Sequence, residues 1–378
     1  MDEITVLGRF PPPLDGQSIA TARLASLLEP AVPVGRVELN PGGESHVQSS
    51  VRFRPGALAY FVRRRQRLVR ELNARSGPIV WTTISPTLLG HGRDVFTVAP
   101  AFPASREVFA VVHNGGFARL FERPSTNWSA SRLVRRLRGV VFLSHRLAES
   151  CERWIPAEKR LVVPNTIDAP LIPTAQELAA KRSSRTDRPF RLLFFSHMIA
   201  SKGYADVLEA VRLLVTSGAD VEADFVGRWD SAKAEQAFSA RVAAAGIGHR
   251  VRHHGGVQDR TEAKALYLGA DLFLLPTYYP TEAQPLTVIE ALAAGTPVVV
   301  TRHASLPEMV RAGREARFVA AESPQDITRA ISDLMDPGAW QRASYDARDR
   351  FDAAFSPSFV RRQWLELLAP AGEADQMP

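Results

Sequence analysis

Among 378 residues there is one cysteine, Cys151, so no internal disulfide can form and a reducing compartment, the cytoplasm, is the expectation. Long apolar runs are also missing. Stretches such as Ala270–Pro276 and Pro297–Val300 fall far short of the ~20 residues that span a bilayer. The N-terminus passes from Met1-Asp2-Glu3 straight into Ile4-Thr5-Val6-Leu7, without the basic stretch and long apolar segment of a secretion signal. Gly (24) and Pro (27) stay near average usage, which excludes fibrous and low-complexity chains. What is present is 45% hydrophobic residues over a length that suits two cores rather than one. Charge is uneven: residues 1–168 carry 23 Lys and Arg against 14 Asp and Glu, the remainder 24 against 26. The excess positive field belongs to the first half.

Short apolar runs alternate with helix-like segments from the start. Ile4–Leu7, Ile79–Trp81, Val108–His113, Val140–Leu143 and Leu161–Val163 read as buried parallel strands. The rhythm breaks over Thr166–Pro189, where prolines and serines punctuate a polar stretch. It restarts with Arg191–Phe195, Asp224–Val226, Arg252–His254, Leu272–Leu275 and Val298–Thr301. The expectation is therefore α/β: a Rossmann-like domain over 1–168, a linker over 169–189, a second Rossmann-like domain over 190–356, and a C-terminal helix and tail over 357–378 that crosses back to the first. Two doubly wound domains facing each other enclose a cleft, and ligands in such sheets bind beyond the carboxyl ends of the strands.

Two strand–loop–helix segments carry the clearest chemistry. In Leu272–Thr301, Pro285 suits a first helical turn and Gly295-Thr296-Pro297 a helix stop. The amides of Leu286 and Thr287 then face the cleft, where the helix dipole favours an anion such as a diphosphate. Glu282 before that helix and Glu290 within it can accept hydrogen bonds from sugar or ribose hydroxyls, although spacing alone reads equally as a solvated helix face. In Leu192–Tyr204, Lys202 precedes a helix start at Gly203, placing a cation where a departing diphosphate gathers charge. Gly16 after Phe10-Pro-Pro-Pro-Leu-Asp15 lets backbone approach a ligand closely, unless the loop is a plain turn. Phe225-Val-Gly227-Arg228 and His254-Gly255-Gly256-Val257 are glycine-containing loops that could admit a base and ribose. His113 ends a strand and is followed by Asn114-Gly115-Gly116, which puts its imidazole at the cleft.

The segment around Glu282 and Glu290 resembles the donor-binding signature of the retaining, family-4-type (group 1) glycosyltransferases. Their C-terminal domain carries Glu-x7-Glu followed by Ala-x-Ala-x-Gly-x-Pro-Val-Val. The resemblance implies a GT-B architecture and transfer, with retention, of a hexose from a GDP- or UDP-sugar to a saccharide acceptor, often lipid-linked, in bacterial surface polysaccharide synthesis. It implies that Lys202 and the amides near Pro285, Leu286 and Thr287 hold the diphosphate, that Glu290 holds the ribose, that Glu282 positions the donor sugar and that His113 contacts it. Gly16 corresponds to the family's N-terminal Gly-Gly loop, with Asp15 replacing one glycine. Pro164-Asn165-Thr166-Ile167-Asp168 resembles the turn that closes the first domain. The family's Gly-Arg-x4-Lys-Gly is here Ser196-His197-x4-Lys202-Gly203; His197 can donate a hydrogen bond but lacks the guanidinium fork. No metal or other cofactor is implied, since protein cations replace the metal that an Asp-x-Asp pair holds in the other main glycosyltransferase architecture, and no such pair occurs.

Arg63, Arg64, Arg65, Arg67 and Arg70, interleaved with Tyr60, Phe61, Leu68, Val69 and Leu72, suit an amphipathic helix on an anionic membrane, which places the chain at the inner face of the plasma membrane. A second cluster, Arg132, Arg135, Arg136 and Arg138, extends it. The same residues read as a solvated cationic face or a site for an acidic acceptor. Nucleic-acid binding, prompted by these runs, lacks any recognisable module to accompany the charge. A sugar-nucleotide epimerase or a phosphorylase shares the two-lobed architecture and remains the alternative within the fold.

Overall fold

The computed structural model describes residues 3–12, 16–39, 57–185 and 188–369. The chain divides into two compact units, one running through Pro164 and taking up the chain again from Val360, the other Asn165–Phe359. Each is built on a six-stranded, wholly parallel sheet.

In the first unit the strands are β1 (Ile4–Gly8), β2 (Val34–Glu38), β3 (Ile79–Trp81), β4 (Val108–Val112), β5 (Gly139–Phe142) and β6 (Arg160–Val162), in the order β2-β1-β3-β4-β5-β6. The second unit holds β7 (Phe190–Phe195), β8 (Val221–Val226), β9 (Val251–His253), β10 (Leu272–Leu275), β11 (Val298–Thr301) and β12 (Ala316–Val319), in the order β12-β11-β10-β7-β8-β9. Strand direction is parallel throughout. Helices cover both faces of such sheets, so β4, β10 and β11 are buried at every position and read as unbroken apolar runs.

Two strands escape the sequence reading, β2 and β12. Both are sheet edges, with half-exposed residues such as Arg36 and Arg317 breaking the apolar run. The expected linker over 169–189 is replaced by structure. A capping box at Thr174 and Glu177 starts the helix Ala175–Ser183, and Lys181 from that helix is buried in the second unit. The expected boundary at 168 lies at 164, because the Asn165 amide donates to Gln284 (2.6 Å) and the Thr166 hydroxyl to the Phe355 carbonyl (2.7 Å), both in the second unit. The expected terminal helix is Pro357–Leu368.

Strand order fixes where a ligand can sit. In each sheet the winding reverses once: between β1 and β3 in the first unit, between β7 and β10 in the second. Crevices outside the carboxyl ends of the strands open at these reversals.

Candidate functional site

In the second unit the loops that leave β7 and β10 flank the reversal, and these are the two strand–loop–helix segments singled out from sequence. Gly203 joins them. Its backbone is left-handed (φ +83°), and a Cβ there would lie 2.7 Å from the Pro276 carbonyl oxygen, so only glycine lets the loops approach this closely. The Tyr278 amide donates to the Ser201 carbonyl (2.8 Å) and completes the seam.

Across that seam Lys202 Nζ meets Glu282 Oε2 at 2.5 Å, with both side chains close to fully buried. The Thr277 hydroxyl donates to the same oxygen (3.2 Å), and Nζ lies 4.8 Å from the centroid of the Tyr279 ring. Lys202 retains further N–H donors, and Glu282 Oε1 accepts nothing among the described residues. Each partner therefore has capacity left for a ligand while neutralising the other. The loop carrying Glu282 is held by neighbours on all sides. Thr301 Oγ1 donates to the Thr277 carbonyl, Ser305 Oγ to the Ala283 carbonyl, His303 Nε2 lies 2.8 Å from the Tyr279 carbonyl, and Gln284 accepts from Asn165.

The helix Leu286–Ala293 starts at this point. Pro285, expected in its first turn, is instead the cap residue, with extended backbone (ψ 118°) and no side-chain hydrogen bond to the helix. The amides of Leu286 and Thr287 have no partner among the described residues, so the positive end of the helix is left for an anion beside Lys202. One turn further on, Glu290 is buried and its Oε2 accepts from the Tyr267 hydroxyl (2.7 Å). Tyr267 is buried, with its ring stacked on Phe195 at 5.4 Å. Burial, then the Glu290 charge, pushes its phenol well above the ordinary range, so it stays a donor.

Lys181 holds the far ends of these helices, donating to the carbonyls of Tyr267 (2.9 Å) and Ala294 (3.0 Å) and to the Thr296 hydroxyl. Burial pushes its ammonium down to about 7.

His197 and Arg228 stand apart from the ion pair. His197 is exposed in the loop after β7, where Gly227 admits the chain: a Cβ at Gly227 would lie 1.8 Å from the Ser196 carbonyl oxygen. The Arg228 stem lies over Gly256, and Gly227 N donates to the Gly255 carbonyl (2.7 Å), so the loops after β8 and β9 are laced together as one rim. Within the second unit Lys202, Glu282, Pro285, Leu286, Thr287 and Glu290 thus share one locus.

In the first unit Gly16 opens the helix Gly16–Leu28; Asp15 lies outside the described residues. The sheet reversal there is lined by hydroxyls, Thr21 Oγ1 lying 2.6 Å from Thr82 Oγ1. His113 follows β4, its Nε2 shielded and without a hydrogen-bond partner among the described residues. Burial, with the Arg23 charge adding, pushes its imidazole down to about 4, so it is neutral at pH 7.

The second unit is also the part of the chain that is similar to a known family. The family model for group 1 glycosyl transferases matches residues 176–350. The match spans 175 of the 378 residues, a little under half of the chain. The matched span includes Lys181, Lys202, Tyr267, Glu282 and Glu290. Among curated relatives, the MMP α-(1→4)-mannosyltransferase of Mycolicibacterium hassiacum is 27% identical over 264 residues, covering 67% of this chain and 62% of the relative. The amylovoran biosynthesis glycosyltransferase AmsK of Erwinia amylovora is 25% identical over 285 residues, covering 74% and 62%. The chain thus spans less than two thirds of the length of these relatives. The crystal structure of HepE from Anabaena in complex with UDP and glucose superposes with a TM-score of 0.71 over 97% of this chain and 99% of that one, at 16% identity. The fold is the GT-B fold of the glycosyltransferases.

Thr277, Tyr279, Tyr267 and Lys181 were not picked out by sequence reasoning. Thr277 and Tyr279 lie inside the quoted motif and could have been found by asking which side chains bracket Glu282. Tyr267 and Lys181 act on partners 23 to 115 positions away, and no local pattern signals them.

Proposed function

We propose that the chain transfers a hexose from a nucleoside-diphosphate sugar to a saccharide acceptor in the synthesis of a bacterial polysaccharide. The observation that carries this is the Lys202–Glu282 pair beside the uncapped start of the helix Leu286–Ala293. Lys202 and the free amides of Leu286 and Thr287 stabilise the diphosphate as charge develops on it during cleavage of the glycosidic bond. Glu282 Oε1 accepts from a hydroxyl of the donor sugar, Glu290 from the ribose, and the Arg228 rim borders the base. His113, neutral in the first unit, is available there as a hydrogen-bond partner and not as a cation. Attack on the face from which the diphosphate leaves, with a phosphate oxygen taking the acceptor proton, gives retention. HepE, similar in fold, binds UDP and glucose, and AmsK is named for polysaccharide biosynthesis.

The test is thermal unfolding with UDP, GDP and ADP and their sugars, followed by nucleoside-diphosphate release with and without saccharide acceptors. One nucleotide class raises the unfolding temperature, because a ligand bound only by the folded state stabilises it. Release that depends on acceptor supports transfer. Interconversion of free sugar nucleotides without acceptor establishes an epimerase instead.

A further inference from the structure

Six large apolar residues are exposed among the described residues, and five fall in four neighbouring elements of the first unit: Val62, Leu88, Leu89, Phe96 and Trp128. Leu88 and Leu89 sit in the first turn of the helix Leu88–Arg93, which runs directly into the turn Asp94–Val98 that carries Phe96. Trp128 is on the helix Pro124–Arg136. These elements are tied together. His91 Nε2 lies 2.8 Å from Ser129 Oγ, and the turn Asp94–Val98 packs against both Pro124–Arg136 and the helix Ala57–Asn73 that carries Val62.

The exposures are large: 71% for Leu89, 77% for Phe96 and 71% for Trp128. Single exposed apolar residues are ordinary, but several on contiguous elements mark an interaction surface. Around them the charge has one dominant sign. The Arg132 guanidinium lies 5.8 Å from the Trp128 ring centroid, and Arg132, Arg135 and Arg136 are exposed on the same helix. On Ala57–Asn73, Arg63, Arg65 and Arg70 face solvent, whereas Arg64 points its charge at buried Asp94 and Arg67 donates to the Glu38 carbonyl (2.6 Å). The five arginines proposed from sequence as a membrane face are therefore divided, and the apolar element they lacked comes from the neighbouring turn and helix.

We infer that this face of the first unit docks on an anionic lipid bilayer, with Leu89, Phe96 and Trp128 entering the interface and Arg63, Arg65, Arg70, Arg132 and Arg135 bound to the headgroups. Leu89, Phe96 and Trp128 stand out from helical turns with most of their surface exposed, which suits a deformable lipid interface better than a protein partner. The arginine rim repels a second copy of the chain and complements acidic lipid. The inference is independent of the donor site, because vesicle binding requires no nucleotide.

Binding is measured by co-sedimentation of the full chain with vesicles of phosphatidylcholine alone and with phosphatidylglycerol added. The expected result is binding only to the acidic vesicles, weakened by salt. Phe96→Ser with Trp128→Ser lowers the partition by about tenfold or more, and Arg65→Glu with Arg132→Glu lowers it as far, with the thermal unfolding of each variant unchanged. Trp128 is the one exposed tryptophan of the six, so bilayer-embedded quenchers should dim it; Trp128→Phe keeps binding and loses the quenching. Equal binding to neutral and acidic vesicles, no effect of the apolar pair, or sedimentation of a dimer that the apolar pair dissociates without any vesicle binding overturns the inference.

Discussion

The two sheet reversals are built alike and chemically opposed. In the second unit the crevice between β7 and β10 presents Lys202, Glu282 and an uncapped helix start. In the first, the crevice between β1 and β3 presents a pair of threonine hydroxyls, and His113 just after the neighbouring β4 is neutral. Net charge misleads about which is the anion site. The basic excess lies in residues 1–168, yet the groups we propose for a diphosphate lie in the half whose charges nearly cancel. There the other cations are largely engaged with carboxylates, as in Arg188–Asp271, Arg252–Asp224 and Arg311–Glu315. An anion site thus depends on a few oriented donors, not on a surplus of charge.

The sharpest way to break the contrast is to neutralise one side of it. Lys202→Ala should cut turnover by ~10²–10³, while Thr82→Val in the first unit leaves turnover nearly unchanged. Because Lys202→Ala strands a buried carboxylate, the double variant Lys202→Ala with Glu282→Gln should recover stability without recovering turnover.

A second test uses pH. With its folded pKa depressed from 6.5 to about 4, His113 stays neutral in the folded state while the unfolded chain takes up a proton. Stability is full above about pH 6.5 and falls as pH drops towards 4, by about 3 kcal/mol at most. His113→Gln should flatten that slope in acid titrations of unfolding.

Gly203→Ala should cost ~1–3 kcal/mol in denaturant unfolding and loosen the seam between the two loops. Gly218 has a similar backbone (φ +86°) but open space around it, so Gly218→Ala should cost less. The difference between the two isolates the contact with Pro276. Smallest is Tyr267→Phe. It removes one buried donor from Glu290 and should lower stability by about 1 kcal/mol, with weaker nucleotide binding by calorimetry as the readout specific to the site.

Both sheets were legible in the sequence where strands are buried on both faces, because Val108–Val112 or Leu272–Leu275 has no other reading. Two of the four edge strands, β2 and β12, were not, since Arg36 and Arg317 interrupt their short apolar runs. The stretch 169–189 looked like a linker because its polar composition hides that Lys181 finds three acceptors on elements distant in the chain.

At the candidate site, sequence alone determined the residue types and their local setting. Glu282, Lys202 and Gly203 lie after strands and before helices, Glu290 one turn into the helix, and covalent order is enough to place them there. Tertiary structure alone decided the pairing of Lys202 with Glu282 across 80 positions, the Tyr267 hydroxyl on Glu290, and the exposed Phe96 and Trp128 beside the arginines. Each of these depends on strand order and helix packing, which bring together groups that no spacing along the chain relates.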